Sequence, residues 1–162
     1  MHIKKWLVAV FALICCNSAF PQSSLLNSVE SGMRTREPQW ELERKGIVEI
    51  HDDPRTEFTN FFWRRGEETV DVGMVIYSSA EESGNRFDAF TKLPTIPGLL
   101  TMRILERDVG FGDGSFTWEE HRHAYARGIC FRKGRFNIFI IAQSMNNARL
   151  FATHIMNILP AT

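Results

Sequence analysis

Cysteine is scarce in this chain: it has three cysteines, and two of them, Cys15 and Cys16, close one short apolar run near the N-terminus. Cys130 is the one thiol in the rest of the sequence. A single thiol forms no internal disulfide, so a small scaffold held together by disulfides is excluded. We expect Cys130 to be a buried core residue, with an intermolecular disulfide or a catalytic thiol as the alternatives.

Positive charge is not in excess, because 19 basic residues balance 19 acidic residues. Lys4 and Lys5 are the charged residues of the first nineteen, so the remainder of the chain is slightly acidic. Affinity for nucleic acid depends on neutralising phosphates, and this composition argues against a nucleic-acid partner. The apolar run from Trp6 to Cys16 is also well short of the ~20 residues that a transmembrane helix needs, so the mature protein is expected to have no membrane-spanning helix.

Residues 1–19 have the layout of a secretory signal peptide: a basic start, an apolar stretch, and the small-residue exit Asn17-Ser18-Ala19. We therefore expect cleavage near Ala19 and a secreted or periplasmic mature protein. An alternative is a lipid-anchored envelope protein, since Leu13-Ile14-Cys15-Cys16 resembles a bacterial lipoprotein box in which Cys16 would carry the lipid. That box has Gly, Ala or Ser at the position that Cys15 occupies.

The rest of the chain is predicted to fold as one α+β domain. Residues 20–38 are an N-terminal helix or linker, because Leu25, Leu26, Val29 and Met33 share one helical face. Residues 39–162 predict an antiparallel β-sheet built from hairpins, with two or three helices packed on it and a C-terminal helix that closes the core.

Period-two alternation identifies the strands of this sheet. Residues 40–51 are predicted as two short strands with a turn at Lys45-Gly46, and residues 58–77 as a hairpin that turns after Trp63. In a second hairpin, a two-residue loop at Lys133-Gly134 places Phe131 opposite Phe136 and Ile129 opposite Ile138. Cys130, Asn137 and Phe139 then face the other side of the sheet, which is only partly apolar and could line a pocket.

Two serines predict where helices begin. Ser79 is followed three residues later by Glu82, which is the pattern of a capping box, and Ser144 precedes a strongly periodic C-terminal helix. Each helix follows a hairpin with the same turn chemistry, Trp63-Arg64-Arg65-Gly66 and Phe131-Arg132-Lys133-Gly134. This repetition predicts two ββα-like units, and the basic turns would form a common rim if they lay side by side.

The candidate binding residues come from the aromatic strand, its turn, the glycine-rich segment from Gly110 to Gly114 and the mixed face of the second hairpin. The glycine-rich segment lacks the spacing and the following helix of a dinucleotide-binding loop, so no cofactor is predicted from it. It is interpreted as a turn or a ligand-contacting loop. The predicted ligand- or partner-binding residues are Phe61, Trp63, Arg64, Arg65, Phe111, Asp113, Asn137 and Phe139.

His121 and His123 are the one close histidine pair in the sequence. If residues 119–123 are extended, both imidazoles point to the same side and could bind one metal ion. A zinc site needs three or four ligands, so the pair would require help from nearby carboxylates. The alternative interpretation is a solvated polar segment.

The order of elements resembles that of Mog1/PsbP-like domains, which are small α/β proteins found among exported bacterial and thylakoid-lumen proteins. The resemblance is carried by residues 128–142, with the hairpin around Lys133-Gly134, and by the helix that follows. It covers about residues 40–160 and is one of pattern, so no catalytic residue can be carried over from the family. It implies a non-catalytic binding or assembly factor.

The sequence therefore favours an exported, non-enzymatic domain that binds a protein partner or a small ligand. The binding surface would be the sheet face that carries Asn137 and Phe139, together with the Gly110–Gly114 segment. The alternative is a metal-dependent hydrolytic enzyme centred on His121 and His123.

Overall fold

The computed structural model describes residues 22–49, 57–92, 102–120 and 127–160. Three helices are present in these ranges: α1 (Gln22–Arg36), α2 (Ala80–Lys92) and α3 (Met145–Ile158). The strands are β1 (Glu41–Glu49), β2 (Glu57–Arg65), β3 (Glu68–Ile76), β4 (Met102–Arg107), β5 (Gly114–Glu120), β6 (Arg127–Lys133) and β7 (Phe136–Ala142). The predicted α+β fold with an antiparallel sheet and a packed C-terminal helix is confirmed. No helix within the described ranges is long and apolar enough to span a bilayer.

The seven strands form one antiparallel sheet in the order β1-β2-β3-β7-β6-β5-β4. Two meanders, β1–β3 and β4–β7, join at the centre of the sheet through the pairing of β3 with β7. Val70 pairs with Ala142 and Ile76 pairs with Phe136, so β3 and β7 run in opposite directions. The turns of the two hairpins therefore lie at opposite ends of the sheet, and their basic residues form no common rim.

Helices cover both faces of the sheet. The first face carries the main core, in which α1 and α3 pack on alternating residues of the central strands, with Trp40 and Phe151 in edge-to-face contact at 5.1 Å between ring centroids. The second face carries a smaller cluster under α2. The strand residues that form the centre of the first face are Phe61, Trp63, Val70, Val72, Met74, Ile76, Ile129, Phe131, Ile138 and Ile140. The cluster on the second face consists of Phe87, Phe116, Trp118 and Cys130.

The turn of the second hairpin differs from the sequence prediction by the position of glycine. Lys133 pairs with Phe136 and Phe131 with Ile138, so the two-residue loop is Gly134-Arg135 and the predicted pairing of Phe131 with Phe136 is wrong. Gly134 is the first loop residue and has a φ of 55°, which suits a loop with glycine in its first position. The shift is two residues, so every side chain keeps its predicted face: Cys130 and Phe139 lie on the second face.

Strand β1 is continuous, so the predicted turn at Lys45-Gly46 is wrong. Lys45 pairs with Phe61 and Gly46 with Asn60, because the nine-residue strand β2 offers a partner along the whole of β1. The irregularity in β1 is a bulge between Leu42 and Arg44.

The predicted helix N-caps are present. The Ser79 hydroxyl accepts a hydrogen bond from the Glu82 N–H at 3.1 Å, and the Ser144 hydroxyl accepts one from the Asn147 N–H at 3.2 Å. At the other end of α3, Lys133 Nζ donates to the carbonyls of Met156 and Leu159 at 2.9 and 2.8 Å. A hairpin lysine thus satisfies helix carbonyls that have no partner within the helix, and it joins the sheet to α3.

Candidate ligand-binding pocket

A pocket of about 240 Å³ lies where the β4–β5 loop meets α2 on the second face of the sheet. We call it the loop pocket. Its walls come from α2, from the end of β4, from the loop itself and from β6, and they consist of Phe87, Asp88, Thr91, Arg107, Asp108, Asp113, Gly114, Ser115, Phe116 and Arg132. A smaller hollow of about 140 Å³ lies beside it on the loop. The glycine-rich loop that the sequence predicts as a binding element therefore supplies part of the lining of this pocket.

A β-bulge in β4 directs Arg107 into the loop pocket. Ile104 pairs with Trp118 and Glu106 with Thr117, which leaves Leu105 as an extra residue in β4. Arg107 consequently pairs with Phe116 and lies on the second face with Ile104, although regular alternation would place the two on opposite faces. Arg107 Nη2 donates to the Thr91 carbonyl at 3.2 Å, in the last turn of α2.

The loop that forms the pocket has an unusual backbone. Asp108, Gly110 and Gly112 have φ angles of 55°, 86° and 59°, in the left-handed region that side chains disfavour. Gly112 also packs against the β6 backbone, where an added Cβ would lie 2.0 Å from the Arg132 carbonyl oxygen. The Asp113 N–H donates to the same oxygen at 2.7 Å. The loop is thus held against β6 by a contact that only glycine at position 112 permits.

Two predicted binding residues, Phe111 and Asp113, hold the loop in place. Phe111 is buried in the main core, 5.9 Å from the ring of Phe131. Asp113 Oδ2 accepts a hydrogen bond from the Gly134 N–H at 2.7 Å and lies 3.6 Å from Arg132 Nη1. Asp113 lines the pocket, whereas Phe111 anchors the loop from below and lines the neighbouring hollow.

Several charged groups at the pocket retain hydrogen-bonding capacity. The Arg132 side chain is 24% exposed, and among the described residues its ionic partner is Asp113 at 3.6 Å, which is beyond hydrogen-bond distance. Arg107 donates one hydrogen bond there, to Thr91. The exposed carboxylates of Asp88 and Asp108 form no ion pair with any residue that the structure describes. Guanidinium groups carry five N–H donors, so most of the donors at this site have no protein acceptor in those ranges.

Asn137 and Phe139, on the second face of β7, pack against α2. Asn137 is buried and exchanges two hydrogen bonds with Ser83, whose hydroxyl donates to Asn137 Oδ1 at 2.8 Å and whose carbonyl accepts from Asn137 Nδ2 at 3.2 Å. Phe139 meets the ring of Phe90 at 5.1 Å. Both residues position α2 above the sheet, and neither lines the loop pocket.

The remaining predicted binding residues belong to β2, in the other half of the sheet. Phe61 and Trp63 are fully buried on the first face and offer no surface to a partner. Arg64 is paired with Glu43, and Arg65 is paired with Glu68 and stacks on the ring of Trp40. The structure thus divides the predicted set into a group around Gly66 and a group near the loop pocket.

Cys130 is buried and free, as predicted. Burial raises the pKa of its thiol far above the ordinary range, and the nearby indole of Trp118 lowers it only in part. The thiol is therefore protonated and enclosed, so Cys130 acts as a core residue on the second face.

The predicted metal ligands His121 and His123 lie outside the described residues. Within residues 22–49, 57–92, 102–120 and 127–160, no group of three or more metal-ligating side chains could hold an ion. A metal site at this histidine pair stays a prediction.

Comparisons with known proteins assign the chain to no family. No protein-family profile matches the chain, and no curated protein matches it. Among solved structures, it is similar to the extracellular domain of PknH from Mycobacterium tuberculosis, with 10% sequence identity and a TM-score of 0.48. The match covers 83% of this chain and 92% of that one. Similarity at this level carries no information about function.

Proposed function

We propose that this chain is an exported, non-enzymatic binding domain whose ligand site is the loop pocket. One observation carries the proposal: guanidinium groups with unused donors and unpaired carboxylates surround a single concavity on an ordered scaffold. Binding sites typically combine an enclosed shape, apolar walls and a few convergent polar groups. The loop pocket is a partly open concavity with several convergent polar groups, and Phe87 and Phe116 are the apolar residues of its lining.

The walls of the pocket are held in place by contacts that do not involve a ligand. Asp113 bonds to the β6–β7 turn, and Ser115 receives the Phe111 N–H at 3.3 Å. Gly112 N–H points to the sulfur of Met156 in α3 at 3.4 Å. A preformed site loses less conformational entropy on binding than a mobile loop does, which favours a binding role.

The non-enzymatic assignment is supported by the chemistry of the lining. The polar side chains are arginine, aspartate, threonine and serine, and the Ser115 hydroxyl already bonds to the loop backbone. In the described part of the lining there is no imidazole, amine or thiol, so a nucleophile activated by histidine or lysine, or a cysteine nucleophile, has no support there.

We also propose that the domain is a divergent relative of the Mog1/PsbP-like proteins and acts outside the cytoplasm. Support for the first point is the β6–β7 hairpin followed by a closing helix on an antiparallel sheet. Support for the second is the basic, apolar and small-residue layout of residues 1–19. Mass spectrometry of the mature N-terminus tests export directly: a chain that begins near Phe20 supports cleavage, and a diacylated Cys16 supports the lipoprotein alternative.

Native mass spectrometry of protein purified from its own compartment tests the binding function. We expect a co-purifying small molecule or peptide that is lost in Arg132→Met, a change that removes the guanidinium and keeps an unbranched side chain. The control is Arg64→Met, which removes a paired, exposed guanidinium from the opposite end of the sheet. Equal retention by both variants would place the ligand elsewhere and refute the proposal.

A further inference from the structure

We propose that the ligand of the loop pocket is a small zwitterion, namely an α-amino acid with an apolar side chain. This inference rests on the proposed binding function and specifies the chemical class of the ligand. It follows from three properties of the pocket: the pairing state of its charges, its volume and its aromatic wall.

The guanidinium groups of Arg107 and Arg132 provide the carboxylate subsite. The guanidinium group of Arg132 forms no hydrogen bond with the other described residues, and Gly84 of α2 leaves room beside it, since an added Cβ would lie 3.8 Å from its Nη1. Arg107 has donors left after its bond to Thr91. A planar guanidinium matches a carboxylate through two parallel N–H···O bonds, which makes arginine the usual partner of this group.

The carboxylates of Asp88 and Asp108 provide the ammonium subsite. Asp113 is already bonded to the Gly134 N–H and lies near Arg132, whereas Asp88 and Asp108 are unpaired within the described ranges. An ammonium group is a compact donor of three hydrogen bonds and is attracted by carboxylates. The side chain of Asp88 is carried by α2 and that of Asp108 by the loop, so the two approach the pocket from different walls.

The balance of charge excludes simpler ions. The lining carries two guanidinium groups and three carboxylates. A ligand with only a negative charge would be repelled by the carboxylates of the pocket. A ligand with only a positive charge would leave the guanidinium groups without an acceptor. A ligand that carries both charges a few bonds apart can satisfy both subsites, because unpaired charges in a partly enclosed site are unfavourable.

Volume and the aromatic wall restrict the rest of the ligand. About 240 Å³ is below the 300–1,000 Å³ of pockets for drug-sized ligands, so the ligand is a smaller molecule. Phe87 and Phe116, with ring centroids 5.5 Å apart, form the inner wall. Both side chains are more than 90% buried in the protein, and the small apolar area that they leave to the ligand favours an aliphatic group over a charged one.

Calorimetric titration of the purified protein with leucine and two truncated analogues tests this inference. Leucine carries both charges, 4-methylpentanoate lacks the ammonium group, and 3-methylbutan-1-amine lacks the carboxylate. Since the ligand is expected to stay bound during purification, leucine should bind with a dissociation constant of about 1 μM or lower, and each analogue should bind at least about tenfold more weakly. Glycine, which lacks the side chain, is expected to bind more weakly than leucine.

Two variants locate the site. Arg132→Met should abolish leucine binding, and Arg64→Met should leave it unchanged. Since Arg132 is partly buried and its loss could affect folding, Asp88→Asn provides a second test at an exposed helix position. This variant should weaken leucine binding at least about tenfold, whereas 4-methylpentanoate, which has no ammonium group, should bind at least as tightly as it does to the wild type, because one repelling carboxylate is gone.

The outcomes separate this inference from the proposed function. Equal binding of leucine and 4-methylpentanoate would overturn the zwitterion and indicate an anion site. If leucine does not bind and another compound co-purifies with the wild type but not with Arg132→Met, the inference fails and the binding function stands. If leucine does not bind and nothing co-purifies, both fail.

Discussion

Replacement of Gly112 by alanine should disrupt the loop that forms the pocket. Gly112 has a φ of 59°, and an added Cβ would lie 2.0 Å from the carbonyl oxygen and 2.9 Å from the carbonyl carbon of Arg132. Both atoms belong to the backbone of a central strand, so the loop has to move instead of a side chain. The movement would break the 2.7 Å hydrogen bond from the Asp113 N–H to the same oxygen.

The expected cost has two parts. An L-residue in the left-handed region costs about 1–2 kcal/mol, and the lost hydrogen bond costs about 1 kcal/mol more. We therefore expect Gly112→Ala to lower the free energy of unfolding by about 2–3 kcal/mol and to remove ligand binding at the loop pocket. Urea denaturation at constant m-value measures the first effect, and calorimetric titration of the folded variant measures the second.

Gly110→Ala is the matched control for this prediction. Gly110 also has a positive φ, of 86°, but no atom lies within 4 Å of an added Cβ. Its substitution should cost about 1–2 kcal/mol from conformational strain alone. Equal losses in the two variants would show that the approach of Gly112 to Arg132 does not hold the loop, and the explanation given for the pocket would be wrong.

Three further predictions concern other parts of the fold. Burial raises the pKa of Asp71 more than the 2.5 Å hydrogen bond from Asn60 lowers it. Asp71 therefore contributes most to the free energy of unfolding below its unfolded-state pKa, and this contribution is lost as the pH rises through the folded-state pKa. Urea denaturation should therefore show that Asp71→Asn raises the free energy of unfolding at neutral pH, with no gain below the unfolded-state pKa. Lys133→Met should lower the free energy of unfolding by about 1–2 kcal/mol in the same assay, because the carbonyls of Met156 and Leu159 at the C-terminal end of α3 lose their donor. Arg149→Met, which removes an exposed ion pair, should cost under about 0.5 kcal/mol, and equal losses would contradict the capping role of Lys133. Iodoacetamide should label Cys130 only after unfolding, and rapid labelling of the native protein would refute its burial.

Local patterns in the sequence predict much of the fold. The alternation of Val70, Val72, Met74 and Ile76 predicts a strand with one buried face, and these residues line the main core. Ser79 and Ser144 mark helix starts because a hydroxyl at the N-cap satisfies a free N–H within three residues. These features depend on neighbouring residues in the chain, so they can be derived without knowledge of the tertiary structure.

Strand length and turn register depend on partners that lie far away in the sequence. Gly46 resembles a turn residue, yet it pairs with Asn60 because β2 extends beside it. In the second hairpin, glycine is compatible with either position of a two-residue loop, and the pairing of Phe131 with Ile138 selects the first position. Sequence patterns cannot decide between such alternatives when both place the same side chains in the core.

The repeated turn chemistry of the two hairpins does not extend to the helices that follow them. Trp63 and Phe131 both precede their turn by three residues and both lie in the main core. After the hairpins, α2 packs on the second face and α3 on the first face. A two-fold axis perpendicular to the sheet, between β3 and β7, superposes the two hairpins and would place both helices on the same face of the sheet. The helices lie on opposite faces, so the two ββα units differ in architecture.

The site is only partly predictable from the sequence. The sequence predicts Asp113 and the glycine-rich loop as binding elements, because a dense cluster of glycines is typical of an unusual backbone. Arg107 was not predicted, since its direction depends on the bulge at Leu105, which has no distinct sequence pattern. Asp88 joins the pocket only through the packing of α2 on the sheet, which sequence periodicity does not position relative to the loop.

The central claim is that the loop pocket binds an amino acid. An amide chemical-shift titration of the isotope-labelled protein with leucine tests it most directly, because it reports both binding and location. We predict saturable shifts confined to residues 87–91 and 107–115 and to Arg132, which surround the pocket. Shifts centred on the opposite end of the sheet, around Arg64 and Arg65, or no saturable shifts at all, would contradict it.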